Sequence, residues 1–116
     1  MELITIEEIN NNSIDWNILS QNYVLNDEIY EKYENYLNWN IISKYQNLTE
    51  STIRKFQHKV NWKKITKHQD LSEEFIIEFI DKLDLYYIFL FQDVSEDFIL
   101  AYIDYDNNEE VYWEII

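Results

Sequence analysis

The sequence contains no glycine, no proline and no cysteine. The first two absences weigh against tight hairpin turns, which need residues that tolerate φ > 0. Asparagine can stand in at some of these positions, but an all-β fold is disfavoured. A Gly-rich phosphate loop cannot be built. Without cysteine there is no disulfide, no thiol nucleophile and no usual zinc site. No stretch approaches the ~20 apolar residues of a membrane span. The opening MELITIEEINNNS has neither a basic start nor a long apolar run, so no secretory signal is expected. A cytoplasmic protein is the expectation, with no membrane partner. The chain does have 116 residues, 47% of them hydrophobic and 17% aromatic. That composition predicts a packed core in a single domain, 1–116.

A period of 23 residues runs through the chain. Trp16, Trp39 and Trp62 keep it, with Leu85 in the next slot. Gln46, Gln69 and Gln92 keep it, as do Leu25, Leu48, Leu71 and Val94. Asn26, Thr49, Ser72 and Ser95 follow the latter, and then Tyr33, Phe56, Phe79 and Tyr102. Several columns agree without an insertion, which defines four repeats at about 14–36, 37–59, 60–82 and 83–105.

Each repeat reads as two short helices, A and B. In the third, Asn61 is an N-cap type residue. Val60 before it and Ile65 after it form a hydrophobic staple. Helix A is predicted near Trp62–Gln69. Ser72 is the second cap, Leu71 and Ile76 the second staple. Glu73 and Glu74 fall in the first turn, where the helix dipole favours acids. Helix B is predicted near Glu73–Lys82. Such short helices are marginal alone, and stacking of neighbours buries what one hairpin cannot. The predicted fold is therefore all-α: a short solenoid of four helical hairpins with half-repeat caps, 1–13 and 106–116. The leading cap carries a capping box, Thr5 and Glu8, and a staple, Ile4 and Ile9. The trailing cap fits a helix A or a strand over 109–116, with helix favoured.

Units of the form W-x-x-[IL]-[ST] … Q-x-[LV]-[ST]-E-x-F-I are seen here as Trp62, Ile65, Thr66, Gln69, Leu71, Ser72, Glu73, Phe75 and Ile76. They resemble short tandem helical repeats in proteins of bacteriophages and large DNA viruses. The resemblance covers about 14–105. The first repeat departs from it, with Tyr23 in the Gln slot and Asn26-Asp27 in place of Ser-Glu. The fourth lacks the Trp. The resemblance implies a viral origin and an adaptor or inhibitor role, and it carries no catalytic residue over.

Charge is unevenly spread. The net charge is −14, made of −7 over 1–43, +6 over 44–68 and −13 over 69–116. Along a solenoid this predicts a basic waist between acidic ends: Arg54, Lys55, Lys59, Lys63, Lys64 and Lys67 in the waist. The C-terminal acids include Asp70, Glu73, Glu74, Glu78, Asp81, Asp93, Glu96 and Asp97. The bland reading of both is solvation. One functional reading is that the acids mimic the phosphates of a nucleic acid. A rival is direct nucleic-acid binding by the waist, which the overall negative charge opposes. A third is head-to-tail self-association, basic waist to acidic end.

The fourth helix A breaks the polar pattern. Where the third has Lys63, Lys64, Lys67 and His68 facing outward, the fourth has Tyr86, Tyr87, Leu90 and Phe91. A helix apolar all round is normally buried. Cover by Val111, Tyr112, Trp113, Ile115 and Ile116 is one expectation, and a homodimer or partner interface is the other. His58 and His68 lie in no metal-ligand pattern. Asp104-Tyr105-Asp106-Asn107-Asn108 starts like a calcium loop, but Glu109 replaces the turn glycine and Ile115 the final glutamate. The periodic Ser, Thr, Trp and Gln residues read as structural, with Gln meeting backbone groups in turns.

These readings converge on a non-enzymatic protein-binding module with no cofactor and no metal. The role expected is a phage or viral inhibitor of a host nucleic-acid-handling complex, protein or ribonucleoprotein, such as a CRISPR effector. It would act in the host cytoplasm by steric block and acidic mimicry. The alternatives are a nucleic-acid-binding adaptor that uses the waist, and a self-assembling structural protein.

Overall fold

The computed structural model describes residues 1–103. They form a helical chain with one short strand pair. In order the elements are β1 (Glu2–Leu3), α1 (Ile6–Asn11), α2 (Trp16–Asn22), β2 (Tyr23–Val24) and α3 (Asp27–Lys32). Then come α4 (Trp39–Tyr45), α5 (Glu50–Lys55), α6 (Trp62–His68) and α7 (Glu73–Glu78). A 3₁₀ turn (Ile80–Lys82), α8 (Leu85–Phe91) and α9 (Glu96–Tyr102) complete the described chain. The A helices are α2, α4, α6 and α8; the B helices are α3, α5, α7 and α9. The chain clusters into two compact units, Met1–Asn61 and a second beginning at Trp62. Each unit holds two repeats. Within the first, α2 lies beside α4; within the second, α6 lies beside α8.

Local signals start the helices. Asp15, Asn38 and Asp84 cap α2, α4 and α8 through their side chains. Asn26, Thr49, Ser72 and Ser95 cap the B helices, each taking the N–H three residues on. Each such cap is worth about 1 kcal/mol. The leading half-repeat forms as its sequence predicts, with the Thr5–Glu8 capping box closed and Ile4 and Ile9 both buried. The staple pairs Leu37/Ile42, Leu48/Ile53 and Leu71/Ile76 are buried as well. In the first three repeats the Trp of helix A meets the aromatic residue 17 positions later. Ring centroids are 5.3 Å apart for Trp16–Tyr33, 5.0 Å for Trp39–Phe56 and 5.1 Å for Trp62–Phe79. Such pairs add about 0.5–1.5 kcal/mol beyond burial.

The helix ends explain how the chain manages without glycine. Many helices stop at a left-handed residue, usually glycine. Here α2, α4 and α8 stop in extended backbone, at Tyr23 (φ −119), Gln46 (φ −82) and Gln92 (φ −104). The helices α3, α5 and α7 stop at Tyr33, Phe56 and Phe79, with φ between −112 and −108. All these conformations are open to any residue. The N–H groups of Tyr33, Gln46, Phe56, Phe79 and Gln92 still bond back into the last turn, and in α2 and α6 a further carbonyl, Ser20 O or Thr66 O, is met by a side chain of a later repeat.

Two predicted boundaries move. Helix A of the third repeat ends at His68, one residue before Gln69, because Gln69 is turned into the buried interior. Helix B ends at Glu78, not Lys82. Phe79 leaves the helical region (φ −108, ψ 23), and Ile80–Lys82 tighten into the 3₁₀ turn. The parallel pairing of Glu2 with Tyr23 and Leu3 with Val24 is new relative to the sequence reading. It links the leading half-repeat to the first repeat, whose Gln slot holds Tyr23. The expected cap over 106–116, its helix-or-strand alternative and the Asp104–Asp106 loop lie outside the described residues.

Candidate functional site

The periodic polar residues serve the repeat. Gln46 is buried. Its amide donates to Ser20 O at 2.9 Å and Tyr23 O at 2.6 Å and accepts from Leu25 N at 3.3 Å. Gln92 does the same one unit on, donating to Thr66 O and Gln69 O at 2.7 Å each and accepting from Leu71 N at 3.0 Å. Each glutamine thus closes the A–B turn of the repeat before it, and meets a carbonyl left over at the end of helix A. Ser20 and Ser43 are fully buried. Their hydroxyls donate to Trp16 O and Trp39 O and accept from Asn38 N and Asn61 N, both at 3.0 Å. Asn38 reaches Asn17 and Asn61 reaches Asn40, at 2.7 and 2.9 Å.

Several charged residues join this framework. In the first unit Lys55 pairs with Glu31, His58 contacts Glu34 at 2.9 Å, and Lys59 donates to Asn35 at 3.0 Å. The hydrogen bond to Glu31 raises the Lys55 pKa. Thr52 donates to Asp27 at 2.7 Å. In the second unit Glu73 accepts from Ser95 N, and this bond, with the Ser95 hydroxyl, lowers its pKa.

The six basic residues of the predicted waist divide between the units. Arg54, Lys55 and Lys59 belong to the first, and Lys63, Lys64 and Lys67 to the second. The predicted acidic residues all lie in the second unit. Glu73, Glu74 and Glu78 are on α7, Glu96 and Asp97 on α9, and Asp81 in the 3₁₀ turn. All but Glu73 are exposed. Asp70 and Asp93 sit in the two A–B turns and line a recess of about 370 Å³ with Leu71, Phe91 and Gln92. The aromatic residues of α8 split: Tyr86 and Tyr87 are half-buried, Leu90 and Phe91 exposed. The structure brings Lys63 and Lys67 onto Tyr87, with Nζ to ring distances of 4.9 and 4.8 Å.

Two exposed residues escaped the sequence reading, Ile77 on α7 and Leu100 on α9. The signal was present. Their slot holds Glu31 and Arg54 in the first two repeats and turns apolar in the last two.

Among the described residues no group of three or more His, Asp or Glu is placed to hold a metal ion. No described helix is long and apolar enough to cross a membrane. No protein-family model matches the chain, and neither a curated protein nor a solved structure matches it.

Proposed function

We propose that this chain is a non-catalytic binding module whose acidic B helices in repeats 3 and 4 occupy a basic site on a partner. The reading is carried by one observation. Glu74, Glu78, Glu96 and Asp97 are exposed along α7 and α9, on capped helices of a unit whose α6–α7 turn is closed by the half-buried Gln92. A fixed array of carboxylates offers a basic groove what a phosphate backbone offers it. The partner class is a protein or ribonucleoprotein complex that handles nucleic acid. The viral-repeat resemblance makes a host defence complex the target of choice, with inhibition by occupancy of its nucleic-acid groove.

The test is capture from host lysate after nuclease treatment, with the wild type and with Glu74→Lys/Glu96→Lys/Asp97→Lys side by side. The expected catch is a nucleic-acid-handling complex that added duplex DNA or RNA displaces and that the triple variant does not retain. A catch indifferent to both competitor and variant refutes the mimicry.

A further inference from the structure

The second unit carries two exposed apolar strips with opposite charge around them. On its A helices, Leu90 is 45% and Phe91 50% exposed. Phe91 stacks on Tyr87 at 6.1 Å with the planes 20° apart. Lys63 and Lys67 sit over Tyr87, and Lys67 also reaches Phe91 at 5.6 Å, all within cation–π range. This strip is apolar and aromatic with a basic edge. On the B helices, Ile77 is 48% and Leu100 64% exposed, in the same slot of successive repeats. Glu74, Glu96 and Asp97 stand exposed on the same two helices. That strip is apolar with an acidic edge.

The same helices bury their other faces: Ile65 and Ile88 from the A helices, Phe75, Ile76 and Phe98 from the B helices. We infer that the strips are the two halves of one contact between copies, the A strip of one chain docking on the B strip of the next. Apolar centres with opposite-sign rims are what a specific interface combines. Single-stranded nucleic acid also likes lysines beside stacked rings. A chain of net charge −14 repels a nucleic acid and a second copy alike at long range, but only the second copy sets exposed aliphatic side chains, Ile77 and Leu100, beside its acids to meet Leu90 and Phe91. The contact is head-to-tail, since the two surfaces differ, so it propagates into a ring or an open chain of copies. It does not rest on the basic-partner reading above, which leaves the A strip unused.

Sedimentation velocity on the full chain tests it, with two double variants, L90E/F91E in the A strip and I77K/L100K in the B strip. The wild type should sediment faster as concentration rises. Each double variant alone should remain monomeric with unchanged far-UV circular dichroism. An equal mixture of the two should form a one-to-one heterodimer and nothing larger, because one intact A strip then meets one intact B strip. A second pair, K63E/K67E and E96K/D97K, tests the rims alone and leaves the apolar residues in place: each should remain monomeric by itself, and the mixture should regain species larger than a dimer, because the native rims match and so do the two reversed ones. A wild type that stays monomeric overturns the inference, whether or not it binds a single-stranded oligonucleotide. So does a mixture that stays monomeric, or a B-strip variant that associates as well as the wild type.

Discussion

Replacing Gln46 should destabilise the first unit more than its position in a turn suggests. Gln46→Ala removes donated bonds of 2.9 and 2.6 Å and an accepted bond of 3.3 Å. It leaves Ser20 O, Tyr23 O and Leu25 N without the side chain that meets them. At about 1 kcal/mol net for each bond, with part of the exposed polar surface rewetted, the loss is about 3 kcal/mol. For a cooperative unit of this size each kcal/mol moves the melting temperature by about 4–8 °C, so a drop of more than about 12 °C is expected. Gln46→Glu sharpens the test. It keeps the volume and the acceptor but turns a carboxylate oxygen toward two carbonyls. The ionised form is repelled, and the protonated form can donate one bond. The folded protein therefore pushes this carboxyl above the ordinary glutamate value of about 4.3. An acid with a raised folded pKa contributes stability that is present below its unfolded pKa and lost as pH rises through the folded one. The gap between this variant and the wild type should widen from about pH 4 upward. Thermal melts by far-UV circular dichroism across that range measure it, with the exposed Gln21→Ala as control. If Gln46→Ala melts with that control, or Gln46→Glu melts with the wild type at neutral pH, the turn-closing role is wrong.

Ser20→Ala should cost about 1–2 kcal/mol in urea denaturation, since Asn38 N loses its acceptor, and Ser20→Thr should cost less because Thr66 fills the same slot in the third repeat. Equal losses for the two would show that the hydroxyl is not what matters there. Burial first, and then the charge of Asp27, hold the Tyr30 hydroxyl above its ordinary pKa. The stability linked to that shift is complete below the unfolded value of about 10 and fades as pH rises above it. Tyr30 tyrosinate absorbance, taken as wild type minus Tyr30→Phe, should thus appear together with loss of helical signal. Ionisation of Tyr30 in the still-folded protein near the pH of an exposed tyrosine would contradict the burial argument.

How much of this was legible in advance depended on the range of the cause. The Thr5–Glu8 box, the caps at Asn26, Thr49, Ser72 and Ser95, and the staples act over three to five residues. They can be read along the chain, and so can the buried columns that repeat with the period. The candidate surfaces were only half legible. The acids of α7 and α9 were visible as charge, and the change of Glu31 and Arg54 to Ile77 and Leu100 was visible in the repeat, but only accessibility shows that the two apolar residues are exposed. Glu73 looked like one more acid of the face until its bond to Ser95 N placed it in the framework.

The sequence alone determined the repeat of 23 residues, the helical class, the helix starts and the core columns. Its lack of glycine also weighed against the common left-handed helix stop. Only the tertiary structure decided how α2 and α6 end, because a carbonyl of their last turn is met by a glutamine of the next repeat. Gln46 reaches back 26 residues to Ser20, and Gln92 reaches back 26 to Thr66. It also decided that Lys63 and Lys67 sit on Tyr87, that Lys55 is held by Glu31, and that Glu2–Leu3 pair with Tyr23–Val24. Each of these joins groups about one repeat apart. A local pattern can show that a residue is polar or aromatic, but its partner is chosen by which repeat packs beside it.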